Sequence, residues 1–143
     1  MKLDASIDYW NSFLQLSVAL TGFTRFQLEG TGQAQLYLDT VRAAVPDSDV
    51  KSLFETFNIE GLDAILQSEK LDAIARNIMK LWYIATWDAL GENTEPSSPD
   101  ATRIVSPEAY TEGLVWPAIG VNPSAAKPLG YASWSTSPVI RIV

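Results

Sequence analysis

The 143-residue chain contains no cysteine and no histidine. The first absence removes disulfides, thiolate nucleophiles and cysteine metal sites together, while leaving the redox compartment open. The second removes the commonest general base and the commonest metal ligand. Any catalysis would therefore rest on carboxylates, lysine, tyrosine or a hydroxyl. Basic residues are also scarce, with Lys+Arg 10 against Asp+Glu 17 and a net charge of −7. They are scattered, so there is no electrostatic footprint for a phosphate backbone, and nucleic acid is not an expected partner. No apolar run approaches the ~20 residues needed to cross a bilayer, so no direct membrane span is expected. The chain holds no basic stretch followed by an apolar h-region and no paired arginines, so no export signal is expected within it.

What is present reads as a globular protein of one domain, residues 1–143, with an ordinary apolar fraction of 47%. The first two-thirds carry helical periodicity. Ser6 or Asp4 is a candidate cap for a helix whose apolar residues Ile7, Trp10, Leu14 and Val18 fall three to four apart, with Gly22 as its stop. Ala34, Leu36, Leu38 and Val41 predict a second helix, ended by Pro46. Asp47 or Ser48 is the candidate cap of a third, through Phe54 and Phe57. A fourth, over Ile59, Leu62, Ile65 and Leu66, is separate from it or merged with it. Ser68 and Glu69 open the longest periodic stretch, in which Leu71, Ile74, Ile78, Leu81, Trp82 and Ala85 mark an apolar face running to Gly91. The expectation is an all-α fold: a helical body of four to five helices over 1–91, an acidic loop at 92–104, and an irregular C-terminal arm.

The loop GENTEPSSPDATR is acidic and rich in Ser and Pro, and it is expected to be exposed or partly disordered. Beyond it, Ser106-Pro107-Glu108 has the order of a helix start, a capping hydroxyl, a proline at the first helical position and an acid in the first turn. A short helix through Tyr110 to Leu114 follows, with Trp116-Pro117 as its end. Prolines 123, 128 and 138 with glycines 120 and 130 predict extended or looping chain, and Val139 to Val143 one short edge strand. Such a segment, rich in large rings and poor in pattern, must lie on its own helical body or on a second protein.

Motifs for reaction chemistry are nearly absent. Gly30-Thr31-Gly32 lacks the third glycine or lysine of a phosphate loop and is a turn between helices. Asp47/Asp49 and Asp4/Asp8 lie in no Asp-x-Asp-x-Asp-Gly loop and are best placed at helix starts, where acids favour the dipole, so no metal site is expected. Glu108 and Glu112 share a helical face, but no nucleophile stands beside them. No catalytic residue and no cofactor-binding residue is assigned on this chain.

The aromatic residues carry more. Trp10, Phe13, Phe54 and Phe57 lie on periodic faces and are expected in the core. Adjacent rings at Trp82 and Tyr83 cannot both enter one core. The candidate partner interface is therefore Trp82 and Trp87 on the body with Tyr110, Trp116, Tyr131 and Trp134 on the arm, since rings on irregular backbone commonly anchor protein contacts.

Three stretches also carry a resemblance. FLQLSVALTGF (13 to 23) resembles the Leu-Ser-x-x-Leu-Thr-Gly signature of the small subunits of bacterial membrane-bound, FAD-dependent sugar and polyol dehydrogenases of the sorbitol dehydrogenase type. LWYIATWDAL (81 to 90) and VSPEAYTEGLVWPAIGVNPSAAKPLGYASW (105 to 134) are similar to the C-terminal half of the same family. The resemblance implies a mostly helical, noncatalytic subunit that binds a large flavoprotein of the glucose-methanol-choline type and supports its maturation and export. It places FAD on that partner, often with a multihaem cytochrome c subunit completing the complex, and implies a periplasmic location. No twin-arginine leader precedes Leu3, which leaves the cytoplasm as the alternative. The rival from another class is a stand-alone carbohydrate-binding or small carboxylate-based enzyme domain, in which Trp116, Tyr131 and Trp134 stack on a sugar ring beside Glu108 or Glu112.

Overall fold

The computed structural model describes residues 8–92 and 94–118. The expectations for Asp4, Ser6, Ile7, Tyr131, Trp134 and the strand at 139–143 fall outside the described residues.

The chain is mostly helical. Helix α1 spans Tyr9–Thr21 and is capped by Asp8, whose carboxylate accepts the Asn11 N–H at 3.0 Å. Gly22 closes it in the left-handed region at φ 79, a conformation that glycine adopts without strain. Helix α2, Arg25–Gly30, has only Leu28 in the core, so it carries almost no periodic signal. Its mark is the capping box, in which Thr24 and Gln27 exchange side-chain and backbone hydrogen bonds at 2.9 and 3.1 Å. Gly30-Thr31-Gly32 forms the expected turn, with Gly32 at φ 73.

Helix α3 (Ala34–Ala44) buries Tyr37, Leu38 and Val41. Helix α4 (Asp47–Glu60) begins after Pro46 without a side-chain cap. Asp47 stands inside its first turn rather than capping it, and accepts the Tyr9 hydroxyl at 2.7 Å. Gly61 at φ 90 separates α4 from α5 (Leu62–Gln67). Six helices thus precede residue 85 among the described residues, because α2 was silent in the periodicity and the third and fourth expected helices are distinct.

Helix α6 (Glu69–Ile84) starts as expected at Ser68, whose hydroxyl accepts the Leu71 N–H at 3.3 Å. It ends seven residues before Gly91. Ala85 takes the left-handed cap at φ 52, and the chain turns into a two-residue strand β1 (Thr86–Trp87). The reason is tertiary. Buried Asn77 donates to the Asp88 carbonyl at 2.7 Å and accepts the Asp88 N–H at 3.2 Å, so its amide acts as the strand partner of residue 88. Lys80 pairs with the Asp88 carboxylate from the next turn. Together these contacts outweigh continued helix, which local pattern alone would favour.

Strand β2 (Arg103–Ile104) pairs antiparallel with β1, Thr86 opposite Ile104 and Trp87 opposite Arg103. The two-residue pairing adds a small sheet that the all-α expectation did not place here, and the loop between the strands, exposed as expected, is ordered by side-chain hydrogen bonds. Asp100 accepts the Trp87 indole N–H at 2.8 Å, the Leu90 N–H at 3.0 Å and the Gly91 N–H at 3.0 Å, while Thr102 accepts the Ala89 N–H. Burial raises the Asp100 carboxyl, but the Gly91 and Leu90 N–H groups and the Trp87 indole prevail and hold it below the ordinary 3.8. The loop is closed around one carboxylate. Helix α7 (Pro107–Thr111) starts at Ser106 as expected but ends before Leu114, and a further turn α8 (Val115–Ala118) includes Trp116 and Pro117. Proline is tolerated there because the first turn needs no N–H donor.

One apolar cluster unites these elements, with Phe13, Tyr37, Phe54, Ile78, Trp82 and Trp87 among its largest buried members. The Tyr37 ring meets the Trp82 ring edge-on at 4.9 Å, and Phe13 stacks on it at 6.1 Å.

Candidate partner-binding surface

Trp82 and Trp87, expected to face a partner, are both 0% exposed. Their polar edges are also satisfied within the chain: Trp82 Nε1 donates to the Ser17 hydroxyl at 2.9 Å, and Trp87 Nε1 to Asp100. They are core residues, and the surface around them is made by other side chains. Of the adjacent pair, Tyr83 is the ring turned outward. It packs edge-on against Phe23 at 6.2 Å, and its hydroxyl donates to the Thr21 carbonyl at 3.0 Å.

The C-terminal end of α6 is a junction of three separate stretches of sequence. From α1, Ser17 receives Trp82 and Thr21 receives Tyr83. From the strand after the loop, the Val105 N–H donates to the Ala85 carbonyl at 2.8 Å. From the turn between α7 and α8, the Leu114 N–H donates to the Trp82 carbonyl at 2.8 Å, so carbonyls left open at the helix end are filled by later chain. Gly113 is fixed there by space: a Cβ would lie 2.5 Å from the Tyr83 carbonyl oxygen. Ala109 and Leu114 are buried beneath α7 and α8, and the Tyr37 hydroxyl faces the Ala109 carbonyl at 3.4 Å. Burial, with the Glu112 charge adding to it, pushes the Tyr37 hydroxyl far above its ordinary 10.0. The start of the arm, through Ala118, therefore lies on its own body.

This junction leaves several apolar side chains outward, among exposed polar neighbours such as Arg103 and Glu108. Ile104 is 56% exposed, Ile84 38% and Tyr110 36%, with half-buried Trp116 beside Tyr110. Each lies within three residues of a contact to the Trp82–Trp87 stretch, and two of them are in direct ring contact. Tyr110 and Trp116 meet edge to face at 5.8 Å and 86°, and Trp116 Nε1 donates to the Tyr110 carbonyl at 3.1 Å. The ring pair is held in place before anything binds it, which lowers the ordering cost of an association.

Of the six expected interface residues, Tyr110 and Trp116 stand together, Trp82 and Trp87 are interior, and Tyr131 and Trp134 lie outside the described residues. Ile84 and Ile104 were missed. For Ile84 a signal existed, since it is an apolar residue off the Leu71–Ile78–Leu81–Ala85 stripe. For Ile104 none did, because the strand that presents it is fixed by β1.

A concave feature lies nearer the other end of α6. A groove of about 560 Å³ is bounded by Ala44, Val45 and Pro46, by Ala73 and Ile74, and by Leu90 and Asp100. Glu108, Glu112 and Trp116 are not part of it, so the carboxylates and ring of the sugar-binding alternative do not line this groove. Among the described residues no cluster of three or more Asp and Glu is placed to hold a metal ion, and no helix is long and apolar enough to cross a membrane. No family model, no curated protein and no solved structure matches this chain.

Proposed function

We propose that this chain is a noncatalytic small subunit that binds a large FAD-dependent sugar or polyol dehydrogenase of the glucose-methanol-choline type and supports its maturation and export to the periplasm. The flavin belongs to that partner, and a multihaem cytochrome c subunit is a further member of the complex. The observation that carries the reading is the Tyr110–Trp116 ring pair, Tyr110 exposed and Trp116 half-buried, held on the α6 junction that also leaves Ile84 and Ile104 exposed. The Leu16–Gly22 signature, the Trp82-Tyr83 pair and the Tyr110–Trp116 stretch, on which the family resemblance rests, meet at that junction. On this reading the matched stretches hold the junction together from within, and the Tyr110–Trp116 pair is the part that meets the partner.

Burying a large ring at such a contact contributes on the order of 2 kcal/mol, about 30-fold in Kd. Trp116→Ala combined with Trp134→Ala is expected to leave the free subunit helical by circular dichroism and to abolish co-purification with the flavoprotein. Undiminished co-purification would refute the arm contact.

A further inference from the structure

The two edges of the small sheet are unlike. Beyond β1, the Asn77 amide meets the N–H and the carbonyl of Asp88 at 3.2 and 2.7 Å, as a neighbouring strand would. Beyond β2 there is no such cover. Val105 donates to the Ala85 carbonyl at 2.8 Å, and the register sets Thr86 opposite Ile104 and Trp87 opposite Arg103. Backbone groups of an antiparallel strand alternate in direction, so Arg103 and Val105 face β1 while the Ile104 N–H and C=O point away from it. Neither group has a hydrogen-bond partner among the described residues. Ser106 is extended as well, at φ −166 and ψ 153, so the open edge runs on to the start of α7.

Proteins commonly keep such an edge single with an outward charge. Here that guard is missing. Arg103, the charged residue of β2, folds back on its own loop, where Nη1 donates to the Pro99 and Ala101 carbonyls at 2.9 Å. What stands on the edge is Ile104, 56% exposed. An open backbone donor and acceptor beside an apolar side chain is the arrangement used in strand addition, where main-chain bonds give affinity and alternate side chains give specificity. A two-stranded sheet also has the most to gain from a third strand. A second copy is a poor occupant, because each chain carries a net charge of −7.

We propose that an extended segment of the large flavoprotein subunit adds to β2 as a third strand, pairing with the Ile104 N–H and C=O and laying an apolar side chain against Ile104. This rests on the flavoprotein reading and specifies how the partner is held: by backbone pairing at β2 in addition to the Tyr110–Trp116 rings.

Amide-resolved hydrogen exchange of the free chain and of its complex with a large FAD-dependent dehydrogenase subunit tests it. The Ile104 amide is expected to exchange freely in the chain alone and about tenfold or more slowly in the complex. Ile104→Pro removes the outward N–H and no bond to β1, so it is expected to keep the melting temperature and weaken binding about tenfold; Ile104→Val keeps the N–H and is expected to bind as the wild type does. Slow exchange at Ile104 already in the free chain, exchange unaltered by the partner, or wild-type affinity in a folded Ile104→Pro chain would overturn strand addition and leave the flavoprotein reading standing. A wild-type chain that binds no large subunit would overturn both.

Discussion

Gly113→Ala tests the junction at its tightest point. The added methyl would sit 2.5 Å from the Tyr83 carbonyl oxygen and 3.2 Å from that of Tyr110, both backbone atoms that cannot rotate away. Gly113 is not in the left-handed region, so the cost comes from contact and not from φ. Relief requires moving the α7–α8 turn off α6, which stretches the Leu114 N–H bond to the Trp82 carbonyl, 2.8 Å in the native chain. Overpacking of this kind costs about 1–3 kcal/mol. For a chain of this length that corresponds to a fall in Tm of roughly 3–10 °C. Gly30→Ala supplies the control, since a Cβ there meets nothing within 4 Å and Gly30 ends a helix with ordinary backbone. It is expected to leave stability unchanged or raise it by about 0.5–1 kcal/mol. Thermal melts followed by far-ultraviolet circular dichroism measure both, with tryptophan fluorescence reporting on Trp82 and Trp116. A Gly113→Ala protein that melts with the wild type would refute the close approach of α7–α8 to α6.

Three further outcomes follow from individual contacts. Ser17→Ala removes the acceptor of the buried Trp82 indole and is expected to cost about 1–3 kcal/mol in urea unfolding; the loss should shrink in a Trp82→Phe background, and equal losses in both would disprove the coupling. Asp100 is held below 3.8 in the folded chain, so its contribution is complete above 3.8 and is lost as pH falls through the lowered folded value. The stability gap between wild type and Asp100→Asn should therefore be widest at neutral pH and narrow under acid; a gap constant with pH would contradict the closed loop. Tyr37 is shifted the other way, its neutral form favoured by the fold, so stability is intact below 10.0 and declines as pH rises toward the raised folded value. Tyr37→Phe is expected to remove the last phenolate step in an alkaline absorbance titration of the folded chain, and an unchanged titration would refute the burial.

Helices with long apolar stripes were legible residue by residue. The Ser68 cap, the Gly22 stop and the Ser106-Pro107 start all follow from local chemistry, and each stands where it was expected. The misses share a different cause. Helix α2 buries one leucine, too little for a period, although its Thr24/Gln27 box was readable in principle. The end of α6 was misplaced because Asn77, a polar residue on a helix, captures Asp88 eleven residues later. The acids and prolines of the loop point to solvent, and the loop is exposed; what they do not reveal is that one acid, Asp100, accepts three N–H groups and orders it. For the surface, the sequence singled out Tyr110 and Trp116, although both stand on short helices rather than irregular chain, and could not tell interior from exterior at Trp82 and Trp87. Their burial depends on Ser17 and Asp100, distant partners that only the fold brings near.

The central claim is that the α6 junction presents a docking platform for a flavoprotein. Co-expression with a large FAD-dependent dehydrogenase subunit of the proposed type, followed by affinity purification through this chain, measures it most directly. The account predicts a yellow complex with flavin absorbance from the wild type, weakened by Ile104→Asp, which alters only an exposed strand residue, and lost in Trp116→Ala with Trp134→Ala. A colourless, monomeric chain from the wild type, with the large subunit present and soluble, would contradict it.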